Sequence, residues 1–175
     1  MHRFLGIRVG VLTWAFLLFA PLQQCARAQD EAKPTGVDQY KPHGYVNDFA
    51  GILDKRTESR LNLICKDLDQ KKRTQMAIVT IESLDGRPIK EFATELANLW
   101  GVGHKDNNRG ILVLLSLNDS QYRIAVGYGL ESVITDDEAD RLGREMIPML
   151  QAKRYGDALL HLANRLHDEI LRWTK

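Results

Sequence analysis

Five residues, Gly127-Tyr128-Gly129-Leu130-Glu131, set two glycines and a carboxylate directly after the alternating stretch Tyr122, Ile124, Val126. Such residues do not serve a core. Glycine lets backbone come close to a ligand or to another chain, and a carboxylate past a strand end binds cations or moves protons. A second stretch of the same character, Trp100-Gly101-Val102-Gly103 running into Asp106-Asn107-Asn108-Arg109-Gly110, precedes the apolar run of residues 111–115. Asp, Asn and Glu on loops are the donors of a hard cation such as calcium or magnesium, and no close pair of His or Cys suggests zinc. EF-hand spacing, a Gly-x-Ser-x-Gly elbow, a phosphate-binding loop and a Cys–His pair with an orienting partner are all missing from the sequence, so no nucleophile is visible.

The elements that must carry these loops are legible from periodicity. Leu61, Ile64, Cys65 and Leu68 recur at helical spacing behind an N-capping Asp54, predicting a helix over 55–71. A buried strand follows at 76–81. Pro88 suits the first turn of a second helix, whose stripe Ile89, Phe92, Ala93, Leu96, Ala97 and Trp100 stops at Gly101. Residues 111–117 read as a central strand, residues 118–121 as a hairpin, and Tyr122 to Val126 as its half-exposed partner. Thr135 and Glu138 form a capping box for a third helix that Pro148 kinks or ends, and a last helix runs over 156–173. The order predicts an α/β domain with a mixed sheet covered by helices on both sides.

This order carries a geometric expectation. If the strands at 76 and 111 are parallel, residues 101–110 enter the sheet at the amino-terminal end of the central strand. The hairpin partner runs back, so its carboxyl end reaches that same edge. The two glycine-bearing loops should therefore face each other, and the start of the third helix adds Thr135, Asp136 and Asp137.

The first residues set the compartment. Arg3 and Arg8 precede an apolar run, Val9 to Leu22, that is short for a bilayer span, and Ala26-Arg27-Ala28 gives the small-x-small pattern of signal peptidase. Residues 1–28 read as a signal peptide, with an uncleaved anchor as the alternative. Residues 29–44 read as a flexible lead-in and 45–173 as a single domain. Loss of the leader removes three of the 24 basic residues and no acid, leaving 21 against 23 acidic and a net charge of −2, which argues against nucleic acid. It also leaves Cys65 alone, on an apolar helix face, as a buried structural thiol.

Taken in order, Val46-Asn47-Asp48 with Ala50-Gly51-Ile52-Leu53, then Trp100-Gly101-Val102-Gly103, then Arg109-Gly110-Ile111-Leu112, then Val126-Gly127-Tyr128-Gly129-Leu130-Glu131, resemble the TPM domain family. That family is found in exported bacterial proteins, in thylakoid-lumen proteins linked to photosystem II repair and in a nematode receptor auxiliary protein. The resemblance spans about residues 45–165. It implies a three-layer α/β/α sandwich with a small mixed sheet, an acidic cleft that binds calcium or another divalent ion in some members, and the acid phosphatase activity reported for the plant branch. Carried over position by position, it implies Asp48, Asn108 and Glu131 as ligands. Many relatives read Asp-Asn-Gly where this chain has Asn108-Arg109-Gly110, so a carboxylate is lost there or supplied by Asp106. The metal candidates are thus Asp48, Asp106, Asn108, Glu131 and Asp136.

Each has a plainer reading. Glu131 can be an exposed acid beyond a strand, Asp136 and Asp137 can serve the helix dipole, and Asp48 reaches the cleft only if residues 45–49 cross the fold. Arg109 can hold a phosphate or make a salt bridge, and His104 can lie at the surface. Many bacterial relatives carry a membrane helix and a glycine-rich tail, neither of which this sequence has, so a soluble domain is expected. The expected function is an exported, periplasmic or extracellular, non-enzymatic accessory or assembly module of an envelope or membrane protein complex, with a calcium cleft. The alternative is a metal-dependent acid phosphomonoesterase, and a third reading is a purely structural domain whose glycines only make tight turns.

Overall fold

A computed structural model describes residues 36–173, and the expected signal peptide lies outside the described residues. The first element of the sheet is one that periodicity does not reveal. Strand β1 (Val46–Asp48) has three residues, too few for an alternation to register, and pairs parallel with β2 (Gln75–Ile81). Between them lies α1 (Lys55–Lys72), which starts where expected, with the Asp54 carboxylate accepting from the Thr57 N–H at 2.8 Å. Helix α2 (Ile89–Trp100) crosses from β2 to the parallel strand β3 (Gly110–Ser116), and Gly101 ends it in the left-handed region at φ 62°. A hairpin then leads to β4 (Gln121–Val126), antiparallel to β3, so the sheet order is β1-β2-β3-β4.

Two helices complete the domain. The Thr135 hydroxyl caps α3 (Asp136–Gln151), and α4 (Tyr155–Arg172) follows after a short turn. Pro148 does not end α3, which runs three residues past it. A proline removes one donor, and that loss is tolerated where the helix end is held from outside, here by packing on α4 and by the Arg154 N–H donating to the Met149 carbonyl at 2.9 Å.

The strict alternation of β2 and β3 splits the core in two. Met76, Ile78, Ile111, Val113 and Leu115 face α1, α3 and α4, while Ala77, Val79, Ile81, Leu112 and Leu114 face α2. This is the expected three-layer α/β/α sandwich with a small mixed sheet. The fold begins earlier than Tyr45, because the expected lead-in contributes apolar side chains of its own. A 3-10 turn, Val37–Gln39, buries Val37 to 2% exposure against α2, and the Tyr40 ring packs edge-on to Phe49 and Phe92 at 5.0 and 6.0 Å. Among the described residues no helix is long and apolar enough to cross a membrane.

Candidate functional site

The loop of residues 101–110 is held chiefly by the end of α1. Arg73, in the left-handed region at φ 48°, turns the chain out of that helix and leaves carbonyls that need donors. Asn107 Nδ2 donates to the Arg73 carbonyl at 3.1 Å and Arg109 Nη1 to the Lys72 carbonyl at 3.3 Å. Arg73 Nη2 pairs with Asp106 at 2.7 Å, and the Gly103 N–H donates to Gln75 Oε1 at 2.9 Å. The loop also closes on itself, with the His104 carbonyl accepting from the Asn108 N–H at 2.8 Å. Asn108 takes φ 51°, a region its short amide side chain tolerates.

Residues 127–131 lie against this loop, as strand order requires. The Gly127 N–H donates to the Gly110 carbonyl at 2.8 Å and the Gly129 N–H to the Asn108 carbonyl at 3.1 Å. A Cβ on Gly129 would stand 2.0 Å from the Asn107 oxygen, and one on Gly127 2.5 Å from the Asn108 oxygen. Those distances are far inside contact, so these two glycines are required by backbone lying on backbone. Between them Tyr128 points outward, 84% exposed. Interlocked in this way, the two loops hold each other through backbone contacts.

The five expected ligands do not converge. Asn108, Glu131, Asp106 and Asp136 share the amino-terminal edge of β3, but Asp106 is paired with Arg73, and Asp136, 96% exposed, has Arg123 Nη2 at 3.9 Å. Asp48 is at the opposite edge. Because β1 runs parallel to β2, Asp48 pairs in register with Thr80, five residues beyond Gln75, where β2 meets the start of β3. Its carboxylate accepts from the Ile52 N–H at 3.1 Å, the Leu53 N–H at 2.8 Å and the Thr80 hydroxyl, so it organises the turn into α1. Glu131 and Asn108 are left exposed. Among the described residues no three His, Cys, Asp or Glu side chains form a metal-holding group. The expected donor set therefore does not fit a single enclosed ion, which needs six to eight oxygens around calcium.

Two basic residues differ from the simplest expectation. Arg109 is turned from any anion site: its guanidinium stacks 4.4 Å over the Trp173 ring while it caps α1. His104 is not a free surface residue, since its Nε2 lies 2.5 Å from Asp69 Oδ1. The other Asp69 oxygen accepts from the Tyr45 hydroxyl at 2.6 Å, and that bond, with burial, pushes the Tyr45 phenol up to about 12. This Tyr45–Asp69–His104 chain ties β1, α1 and the loop together, and sequence reasoning missed it because its members are 24 and 35 positions apart. Burial pushes the Cys65 thiol up to about 12, which keeps it protonated and inert.

Comparison with known proteins adds to this geometry. The TPM domain model matches residues 46–169. A chloroplastic UPF0603 protein of Oryza sativa subsp. indica is 27% identical over 125 residues, 70% of this chain and 42% of that protein. A chloroplastic UPF0603 protein of Arabidopsis thaliana is 27% identical over 125 residues, 70% of this chain and 44% of that protein. The chain thus spans less than half the length of these curated relatives. Among solved structures, the N-terminal domain of a P. gingivalis protein has a TM-score of 0.68 and 29% identity, covering 72% of this chain and 81% of that one. The N-terminal domain of a Corynebacterium glutamicum protein, at TM-score 0.60 and 17% identity over 73% of this chain and 80% of its own, speaks to the fold alone.

Proposed function

We propose, from the premise that this chain belongs to the TPM domain family, that it is a non-enzymatic accessory or assembly module exported to the cell envelope. Its partner-binding surface is the edge made by residues 101–110 and 127–136. The observation that carries this reading is Tyr128. A ring 84% exposed is held between two glycines whose backbones are locked onto the neighbouring loop. A rigid aromatic loses little conformational entropy on binding, and such residues dominate interface energetics. The exposed carboxylates around it, Glu131, Asp136 and Asp137, favour a partner with basic groups at the rim.

Calcium enters this reading as a weak guest of the surface. With Glu131 and Asn108 as the side chains left over at the edge, an ion keeps most of its water, and affinity falls in the range of about 0.1 to 1 mM or weaker, as for other exported modules. Calorimetric titration checks this, and a dissociation constant in the low micromolar range contradicts it. The reading as a whole is tested by incubating the protein with a generic phosphate ester across acidic pH with calcium, magnesium and manganese. The expected result is no turnover above that of Glu131→Gln. Metal-dependent hydrolysis that disappears in Glu131→Gln overturns the module and establishes the phosphomonoesterase.

A further inference from the structure

Strand β4 is the last in the sheet, and its outer side is unfinished. The hairpin places Ser120 in the left-handed region at φ 53°, and the strand pair begins beyond it with Ser116 opposite Gln121. At the far end the Gly127 N–H bonds to the Gly110 carbonyl. In an antiparallel pair every second residue bonds across, so counting back from Gly127 makes Ala125, Arg123 and Gln121 the bonded positions. Tyr122, Ile124 and Val126 then aim three N–H and three C=O groups away from β3. Among the described residues none of the six has a hydrogen-bond partner outside that pair. Sheet edges are ordinarily guarded by proline, charged side chains or a bulge; Tyr122 to Val126 contain no proline or bulge and one charge, Arg123, which is drawn to Asp136 on α3.

A wall stands beside this edge. On one face of the sheet α4 lies between α1 and α3. Three helices packed about 8–10 Å apart are at least as wide as four strands at about 4.8 Å, and α3, the outer helix on this side, packs along β4. The Tyr122 ring fills the space under Gly143, where a Cβ would stand 2.4 Å from Cε2. One turn further along α3, Ile147 is 36% exposed. There the groove opens into a mainly apolar cleft of ≈ 340 Å³ lined by Leu115, Leu117, Ser120, Tyr122, Ile147 and Leu150. That volume is at the lower end of ligand-binding pockets, about 300 Å³ and above.

We propose that the β4 edge and α3 form a strand-addition groove for an extended segment of a partner protein, anchored by one large apolar side chain in the cleft. Only an extended chain offers donors and acceptors at every second residue to match Tyr122, Ile124 and Val126. The other wall of the groove sets the charge of the segment. Asp136, Asp137 and Asp140 are exposed on the first turns of α3, toward the Val126 end, against Arg123 on the strand and Arg144 nearer the cleft. The segment is therefore basic at the end remote from its apolar anchor. A second copy of this chain is the poorer occupant, because its β4 offers a single basic residue, Arg123, which already lies 3.9 Å from Asp136 of its own chain. This groove shares Asp136 and Asp137 with the Tyr128 edge at the Val126 end. Its apolar cleft at Ile147 and Leu150 belongs to it alone, so Ile147→Asp tests the groove without touching the Tyr128 edge.

The test uses two acetylated, amidated hexapeptides, Phe-Val-Lys-Val-Lys-Val and its reverse, with amide exchange followed by NMR. In the free protein the amides of Tyr122, Ile124 and Val126 should exchange freely while those of Arg123 and Ala125 are protected. One of the peptides at about 1 mM should protect the first three at least about tenfold, and N-methylation of its alternate residues should abolish that effect. Val126→Pro removes an outward donor without touching a β3 bond, and Ile147→Asp charges the cleft mouth; each should weaken binding about tenfold or more. Should Val126→Pro fail to fold, Ile147→Asp, at a partly exposed position, carries the test. The proposal is overturned if neither peptide protects these amides, if they are already protected in the free monomer, or if protection rises with protein concentration alone, which gives the edge to a second copy.

Discussion

The loop acids at one end of the sheet take backbone N–H groups, whereas at the other end Asp106 pairs only with the Arg73 side chain and Glu131 and Asp136 take no backbone donor. At the end of β2 and β3, carboxylates turn inward onto the protein's own donors. Asp48 takes the Ile52 and Leu53 N–H groups, and Asp119 takes the Leu84 N–H at 2.7 Å and the Ser116 hydroxyl at 2.6 Å. At the start of β3, the loops satisfy one another backbone to backbone through Gly127 and Gly129, and Glu131 and Asp136 are left to solvent. The difference teaches that a loop acid is free for a partner only where the surrounding amides already have carbonyls to bond. An aspartate beside a short parallel strand is consumed by the turn that follows it.

Four experiments break or sharpen this contrast. The largest effect is expected from Gly129→Ala, which drives a methyl into the Asn107 carbonyl and forces the two loops apart, at about 3 kcal/mol of stability, read by chemical denaturation. Asp48→Ala leaves two N–H groups and the Thr80 hydroxyl short of an acceptor and should cost about 2 kcal/mol, with Asn recovering part of it. If Asp48→Ala proves neutral while Glu131→Gln destabilises, the contrast is inverted and the account fails.

The third experiment is acid titration. The Ser116 hydroxyl and then the Leu84 N–H hold the Asp119 carboxyl below its ordinary value, and the bonds from His167 and Lys71 do the same for Asp67. A depressed folded pKa contributes stability that is present above the unfolded value, about 3.9 for Asp, and is lost as pH falls through the folded value. Melting temperature should therefore drop below about pH 4, and Asp119→Asn should flatten that limb; an unchanged slope removes Asp119 from the explanation. The smallest effect belongs to Glu131→Gln and Asp136→Asn, each within about 0.5 kcal/mol, since both side chains are exposed and neither completes a turn.

Much of this architecture was legible because its signals are local. Asp54, Thr135 and Gly101 sit at helix ends with side chains or φ values that end or begin a helix, and the stripes of α1, α2 and α4 repeat often enough to register. The meeting of the two glycine loops was legible too, since chain order and hairpin direction fix it. What could not be read depends on contacts between distant residues. The direction of β1 decides that Asp48 belongs to the far edge, and three residues do not announce a direction. Arg109 stacks on Trp173, 64 positions away, and Asp106 meets Arg73, so two side chains counted toward a cleft are spent on holding the loop to α1.

Amide hydrogen exchange at Gly127 and Gly129 in metal-free protein, with a chelator present, tests the central claim most directly. If backbone contacts alone order this edge, both amides exchange as slowly as those in the middle of β3 and calcium leaves them unchanged. Exchange at the rate of an open loop, slowed only when calcium is added, would contradict it.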